Sequence, residues 1–332
     1  MKYLRYLLFP FSVLYGCVMS LRNYLYNIEV LKSKAYSVPV LCVGNLNTGG
    51  TGKSPMIELL IRTLHPNYKI ATLSRGYKRK TSGFLEVSSS HTSSEVGDEP
   101  LQFKLNFPEL IVAVDENRQR GIESLQELYP DLEVILLDDA FQHRKVRPKA
   151  SILLTTFEDL YTRDFVLPTG NLREFQTGAK RADLIIVTKC PKSLTSDEQL
   201  KIKNQLNPKP YQQLLFSTID YSDYVLSQDH KELLENFDDF TLVTGIANPK
   251  PLVSHLKSLN KHFDHLEYGD HHEFSEKDLN LLQQKEVILT TQKDYMRLKA
   301  KLDKKQLYYL PIQTKILDQP EALENFLNES LV

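Results

Sequence analysis

Residues 43–55 read Val-Gly-Asn-Leu-Asn-Thr-Gly-Gly-Thr-Gly-Lys-Ser-Pro and restrict the fold more than any other part of the chain. A β-branched run, Val38 to Val43, precedes the segment, and Ile57, Leu60, Ile61 and Leu64 recur afterwards at helical spacing. Strand, glycine-rich turn and helix in that order make a phosphate-binding loop, in which successive amides and a helix N-terminus face one anion. Asn47, Thr48, Gly49, Gly50, Thr51, Gly52, Lys53 and Ser54 are its candidate nucleotide-binding residues, with Lys53 directed to the β- and γ-phosphates and Ser54 to Mg²⁺. Asn47 stands where the strict pattern has glycine. Asparagine is the best non-glycine substitute for a left-handed backbone, so the spacing still predicts a phosphate cradle.

Short apolar runs follow at 69–74, 110–114, 133–137, 151–155 and 183–188, alternating with helical segments. That alternation predicts an α/β fold, a P-loop NTPase-like parallel sheet sandwiched by helices. The pattern loosens around 205–224, where residues 211–217 read as an extended connection, and a second strand–helix series starts at Phe240. The expected organisation is an N-terminal apolar and basic region at 1–36, a kinase-like domain at 37–220 and a smaller α/β domain at 221–332.

The chain has 332 residues, 41% of them hydrophobic, and a net charge of −1, so no global field draws it to nucleic acid. Cys17, Cys42 and Cys190 are too scattered for a zinc site or disulfide framework. Residues 3–19 are strongly apolar and aromatic, broken by Arg5 and Pro10, and shorter than the ~20 residues of a bilayer span. Lys2, Arg5, Arg22, Lys32 and Lys34 oppose only Glu29 in the first 36 residues. A helix lying in an anionic headgroup layer fits this composition, and so does a helix that covers the sheet.

Asp138-Asp139 ends the run Val134-Ile-Leu-Leu, where a strand beside the P-loop strand would deliver a carboxylate to bound Mg²⁺. In Gly97-Asp-Glu-Pro100 one acid could orient a substrate hydroxyl, although Pro100 at a first helical position would make Glu99 an N-cap. Asp270-His271-His272 offers an Asp–His arrangement without metal-ligand spacing.

These blocks occur in order with Ser74-Arg-Gly-Tyr77, Asp138-Asp-Ala-Phe-Gln-His143, Leu167-Pro-Thr-Gly-Asn-Leu-Arg-Glu174, Thr244-Gly-Ile-Ala-Asn-Pro249 and Thr290-Thr-Gln-Lys-Asp294. As a set they resemble the tetraacyldisaccharide 4′-kinase family of lipid A biosynthesis. The resemblance implies ATP-dependent phosphorylation of the 4′-hydroxyl of a tetraacylated glucosamine disaccharide 1-phosphate, with Mg²⁺, at the cytoplasmic face of the bacterial inner membrane. It implies no obligate protein partner, and two α/β/α domains joined by a short β-ribbon around an interdomain cleft. By resemblance Asp98 is the catalytic carboxylate and His271 its partner, while Ser54, Glu99, Asp138 and Asp139 surround the metal. Gln142 and His143 match the same acidic block, with Ala140 where glycine is usual. Arg75 and Arg173 are candidates for phosphate or the lipid's 1-phosphate. Gln292 stands where glutamate is common. A P-loop switch NTPase working on a membrane partner is the alternative reading, but no Asp follows Thr188-Lys189 at the spacing a guanine reader needs.

Overall fold

The computed structural model describes residues 5–228, 230–270, 272–299, 301–302 and 306–331. Helix α1, Phe9–Asn27, precedes strand β1, Val40–Asn45, and the P-loop helix α2, Lys53–Leu64. The chain continues through β2, Ile70–Ser74; β3, Leu85–Glu86; α3, Ser93–Val96; α4, Asp98–Asn106; β4, Ile111–Val114; and α5, Arg118–Leu128. Then come β5, Val134–Asp138; β6, Ala150–Thr156; β7, Leu184–Thr188; α6, Ser196–Leu206; and β8, Gln213–Tyr221.

These strands form one sheet in the order β15-β8-β7-β6-β1-β5-β2-β4-β3, parallel from β8 to β4. β15, Ile312–Ile316, is the last strand of the chain and runs antiparallel to β8. Strands buried on both faces explain the continuous apolar runs. On one face α2 lays Met56, Ile57, Leu60, Ile61 and Leu64 against the sheet, so the spacing read from sequence is the packing face.

A second sheet, β10-β9-β14-β13-β11-β12, combines Tyr224–Leu226 (β9), Lys231–Leu233 (β10), Phe240–Thr244 (β11), Phe263–Glu267 (β12), Ile288–Thr290 (β13) and Leu307–Tyr309 (β14). Helices α7, Lys250–Ser258; α8, Glu276–Gln283; and α9, Gln292–Lys299, belong to this part of the chain.

Two sequence expectations need correction here. The segment 211–217, expected as a connection, is mostly strand: Gln213 to Phe216 pair with β7 inside the first sheet, and Ser217 to Tyr221 pair with β15. The smaller unit also does not run to the C-terminus. β15 returns to the first sheet, and α10, Pro320–Leu331, buries Leu323, Phe326 and Leu327 in the core beneath the P-loop helix. Those three residues recur at helical spacing, which assigns a buried face but not the sheet that receives it.

Candidate active site

The P-loop leaves β1 at Asn45 and enters α2 through Gly52, whose φ of 82° only glycine adopts without strain. Thr188, at the end of β7, donates through Oγ1 to the Thr51 carbonyl at 2.8 Å, and Lys189 Nζ donates to the Gly50 carbonyl at 2.5 Å. On the other side Thr48 N donates to Asn171 O at 2.7 Å, and Arg173 N to Leu46 O at 2.7 Å. Asn47 does not take the left-handed conformation expected of it; it bridges Leu172 in extended backbone pairing. The glycine is dispensable there because residues 171–173 hold the loop's shape from outside.

Lys53 Nζ donates to Asn45 Oδ1 at 3.2 Å and lies 3.5 Å from Asp139 Oδ1. β1 and β5 are register neighbours, Val43 opposite Asp138, so the two acids end the strand beside the P-loop strand. Asp138 is buried, and its Oδ1 has no hydrogen-bond partner among the described residues. Burial first, then the charges of Asp139 and Glu99, push its carboxyl up to about 7. Asp139 differs sharply: burial opposes ionisation, but Lys53 and Arg173 outweigh it and hold this acid below its ordinary value. Arg173 Nη1 donates to Asp139 Oδ1 at 2.8 Å. Asp139 is therefore already neutralised, whereas Asp138 presents an uncompensated buried oxygen.

Asp98 and Glu99 open α4, with Gly97 as N-cap. The expected boundary is thus shifted: Glu99 lies in the first helical turn and does not cap the helix. Gly97 has a φ of 94°, and a Cβ added there would lie 3.2 Å from Gly76 Cα. Two blocks that are distant in sequence, 74–77 and 97–100, meet backbone to backbone at these glycines. Glu99 Oε1 accepts from Lys293 Nζ at 2.7 Å, and Asp98 Oδ2 accepts from Arg297 Nε at 3.1 Å, so α9 of the second unit reaches both acids.

Gln142 serves the fold more than a ligand: its Nε2 donates to Asn45 O at 2.9 Å and to Glu174 Oε1 at 3.1 Å. His143 is pushed down to about 4, by burial first and then by Arg118, Arg75 and Arg22. Arg75 is exposed, whereas Arg118 is buried, donates to Asp115 O at 2.6 Å, and has an unpartnered Nε among the described residues. Arg118 and Arg22 were not found from the sequence. Arginine in a helix or a basic N-terminal segment ordinarily marks a solvated face, and only the tertiary fold turns Arg118 toward Asp138 and Arg22 toward Gln142 and His143. Buried Glu174, paired with Arg181 at 2.7 and 3.0 Å, was likewise unassigned. His271 lies outside the described residues. Its neighbour His272 stacks on Tyr268 and meets Asp278 Oδ2 at 3.0 Å, a structural contact at the start of α8.

For Mg²⁺, Asp138 Oδ1 and the buried Ser54 at the start of α2 provide hard oxygen donors near Lys53. Among the described residues no group of three or more His, Cys, Asp or Glu side chains makes a ready metal cage. That donor set fits an ion which keeps waters and phosphate oxygens and takes only one or two carboxylates. A cavity of ≈ 630 Å³ is lined by Glu158 from the first unit and Ala247, Asn248, Lys250, Pro251 and Ser254 from the second.

Residues 4–332 match the model of the LpxK family, tetraacyldisaccharide-1-P 4′-kinase. The chain belongs to this kinase family. The tetraacyldisaccharide 4′-kinase of Flavobacterium johnsoniae is 47% identical, over 98% of this chain and 96% of that protein. The one from Bacteroides thetaiotaomicron is 41% identical, over 95% and 90%. A crystal structure of LpxK from Aquifex aeolicus, the "apo" form in complex with ATP, superposes with a TM-score of 0.80 at 29% identity, covering 99% of this chain and 100% of that one.

Proposed function

We propose that this chain transfers the γ-phosphoryl group of ATP to the 4′-hydroxyl of tetraacyldisaccharide 1-phosphate, with Asp98 as the group that accepts the hydroxyl proton. The observation that carries the reading is the placement of Asp98 and Glu99 on a short helix beside a complete P-loop whose Lys53 and Asp139 are 3.5 Å apart. Phosphoryl transfer needs positioning and charge neutralisation more than covalent chemistry, and these residues supply both. Loop amides and Lys53 cradle the phosphates, while Ser54, Asp138 and Glu99 would hold Mg²⁺, which would neutralise charge on the phosphate oxygens. Asp139, tied to Arg173, faces Lys53 Nζ from the end of β5. By family resemblance His271 is the partner of Asp98. Arg22, Arg75 and Arg118 all bear electrostatically on His143, and such a concentration of guanidinium charge suits a phosphate of the lipid.

The substrate's acyl chains leave a bilayer at a cost of ~0.8 kcal/mol per CH₂, so the enzyme must work at the membrane surface. Helix α1 supports that reading through an inverted face. Its small and polar residues turn inward: Ser12 Oγ donates to Thr169 Oγ1 at 2.8 Å, Gly16 sits against Phe175, and Asn23 Nδ2 donates to Glu174 Oε2 at 2.6 Å. Leu7, in the 3-10 turn that leads into α1, continues an exposed stripe at helical spacing with Phe11, Leu14, Val18 and Leu21 of the helix. No helix among the described residues is long and apolar enough to cross a membrane, so α1 would lie in the headgroup layer of the cytoplasmic leaflet.

The direct test supplies vesicles bearing the disaccharide 1-phosphate with γ-labelled ATP and locates the label. Label at the 4′ position is expected. ATP hydrolysis that is independent of the lipid, with no labelled lipid, would favour a switch NTPase instead.

A further inference from the structure

We propose that Arg297 is a positioning residue for Asp98: the second unit orients the catalytic carboxylate through this guanidinium, and the Thr290–Arg297 segment exists to deliver it. The inference rests on the assignment of Asp98 above.

Arg297 is held from behind before it reaches Asp98. Its Nη1 donates to Asp294 Oδ1 at 3.2 Å, and Asp294 is fully buried. The other oxygen of Asp294 accepts from Gly245 N at 2.8 Å and Thr291 Oγ1 at 2.7 Å. A buried carboxylate with three donors is a fixed anchor, and it fixes the guanidinium it pairs with. From that anchor Arg297 sends Nε and Nη2 to one oxygen, Asp98 Oδ2, at 3.1 and 2.5 Å. Two donors on one oxygen hold that oxygen in place more firmly than the single ammonium of a lysine would.

The surrounding contacts fix α9 in the same register. Lys293, one turn before Arg297, meets Glu99. Gln292 Nε2 donates to Asn106 Oδ1 at 2.6 Å, and its Oε1 accepts from Gln102 Nε2 at 3.3 Å. Gln102 and Asn106 both donate at 2.8 Å to Oε1 of Glu58, a buried residue of the P-loop helix. The amide at 292 therefore closes a ring around a buried carboxylate, a place where a second negative charge would be costly. Through this ring α9 is registered against α2 and α4 together, and so the guanidinium is registered against the phosphate site. Gly245 also abuts Gly269, since a Cβ there would lie 3.5 Å from the Gly269 carbonyl. Asp294 thus anchors both Arg297 and the loop next to the one that leads to His271.

The test uses the full-length enzyme with ATP and vesicle-borne disaccharide 1-phosphate, and measures kcat and the KM for ATP separately for Arg297→Gln, Arg297→Lys and Asp98→Asn. A misplacement of about 1 Å at a reacting group lowers rates by about 10²-fold, so Arg297→Gln should lose roughly 30- to 100-fold in kcat with the KM for ATP changed by less than about threefold. Arg297→Lys, which keeps the charge, should stay within about tenfold of wild type. An unchanged or raised kcat in Arg297→Gln, or a loss confined to KM, overturns the proposal. If Arg297→Gln does not fold, Arg297→Lys decides: a folded Lys variant measurably slowed, by up to a hundredfold, supports positioning, and one reduced further or indistinguishable from wild type refutes it. Asp98→Asn separates the two readings. Substantial activity in Asp98→Asn would remove Asp98 from its role whatever Arg297 does, whereas an inactive Asp98→Asn beside a fully active Arg297→Gln would defeat only the inference about Arg297.

Discussion

The inverted face of α1 sets a quantitative test of membrane docking. Leu7, Phe11, Leu14 and Val18 are 73, 62, 65 and 59% exposed, so about two-thirds of each side chain is available to a lipid surface. Full burial of such a side chain contributes about 2 kcal/mol, which gives about 5 kcal/mol for the four if they enter hydrocarbon. Insertion only to headgroup depth realises about half of that, so replacing all four by serine should weaken vesicle partitioning by about 2.5 kcal/mol, or roughly 70-fold. The melting temperature should change little, because the anchoring contacts of Ser12, Tyr15, Arg22 and Asn23 are on the other face. Flotation with anionic vesicles measures the first quantity and scanning calorimetry the second. Turnover on vesicle-borne substrate should fall far more than turnover on substrate dispersed in detergent. Unchanged flotation, or a melting temperature lowered by ten degrees or more, would refute the docking argument and make the stripe part of the protein's packing. Deleting residues 1–20 is the poorer experiment, since it also removes Ser12 and Tyr15 from the body they hold.

Lys53→Ala should lose at least about a hundredfold in turnover, equivalent to about 2.7 kcal/mol of transition-state stabilisation, and a variant with a third of wild-type activity would contradict the P-loop role. His143, pushed down to about 4 mainly by burial, makes stability depend on pH. The unfolded chain binds that proton near pH 6.5, so between about pH 4 and 6.5 the unfolded state holds more protons and stability falls as pH drops through this window. His143→Gln should flatten the fall in melting temperature between pH 7 and pH 5, and equal slopes would show that the imidazole is not protected. Gly97→Ala meets both a positive φ and a 3.2 Å approach to Gly76, and should cost about 1–3 kcal/mol of stability with a correspondingly lower melting temperature. An alanine variant as stable as wild type would mean that the two motif loops are not locked together there.

The parts of this site that sequence disclosed are those written in local patterns. The P-loop, the apolar face of α2 and the double acid after β5 each declare themselves within a dozen residues, because strand, turn and helix have different periods. The proposed role of Asp98 rests chiefly on the resemblance, since an acid in a first helical turn has an ordinary electrostatic explanation. The long-range partners left no comparable trace. Arg118 looks like a solvated helical arginine until the fold buries it, and Glu58 looks like half of a surface pair with Arg62 until Gln102, Asn106 and Gln292 close around it. Asn47 shows the opposite case: a local preference for left-handed backbone yields where pairing with Leu172 sets the conformation.

The return of the chain to the first sheet bears on how the two units communicate. A boundary near residue 220 with nothing coming back would leave the second unit on a single tether. Instead two strands connect them: Ser217 to Tyr221 of β8 pair residue by residue with Ile312 to Ile316 of β15. At the base of this ribbon Asp220 accepts from both Lys192 and Lys315, at 2.5 Å each. Paired strands resist twisting and sliding far more than a single extended chain does, so the remaining soft motion is bending of the ribbon. The contacts of Gln292 with Asn106, Lys293 with Glu99 and Arg297 with Asp98 all cross between the units that this ribbon joins. If Arg297 orients Asp98 as proposed, that restriction to bending serves it, because the guanidinium must meet the same oxygen at every turnover.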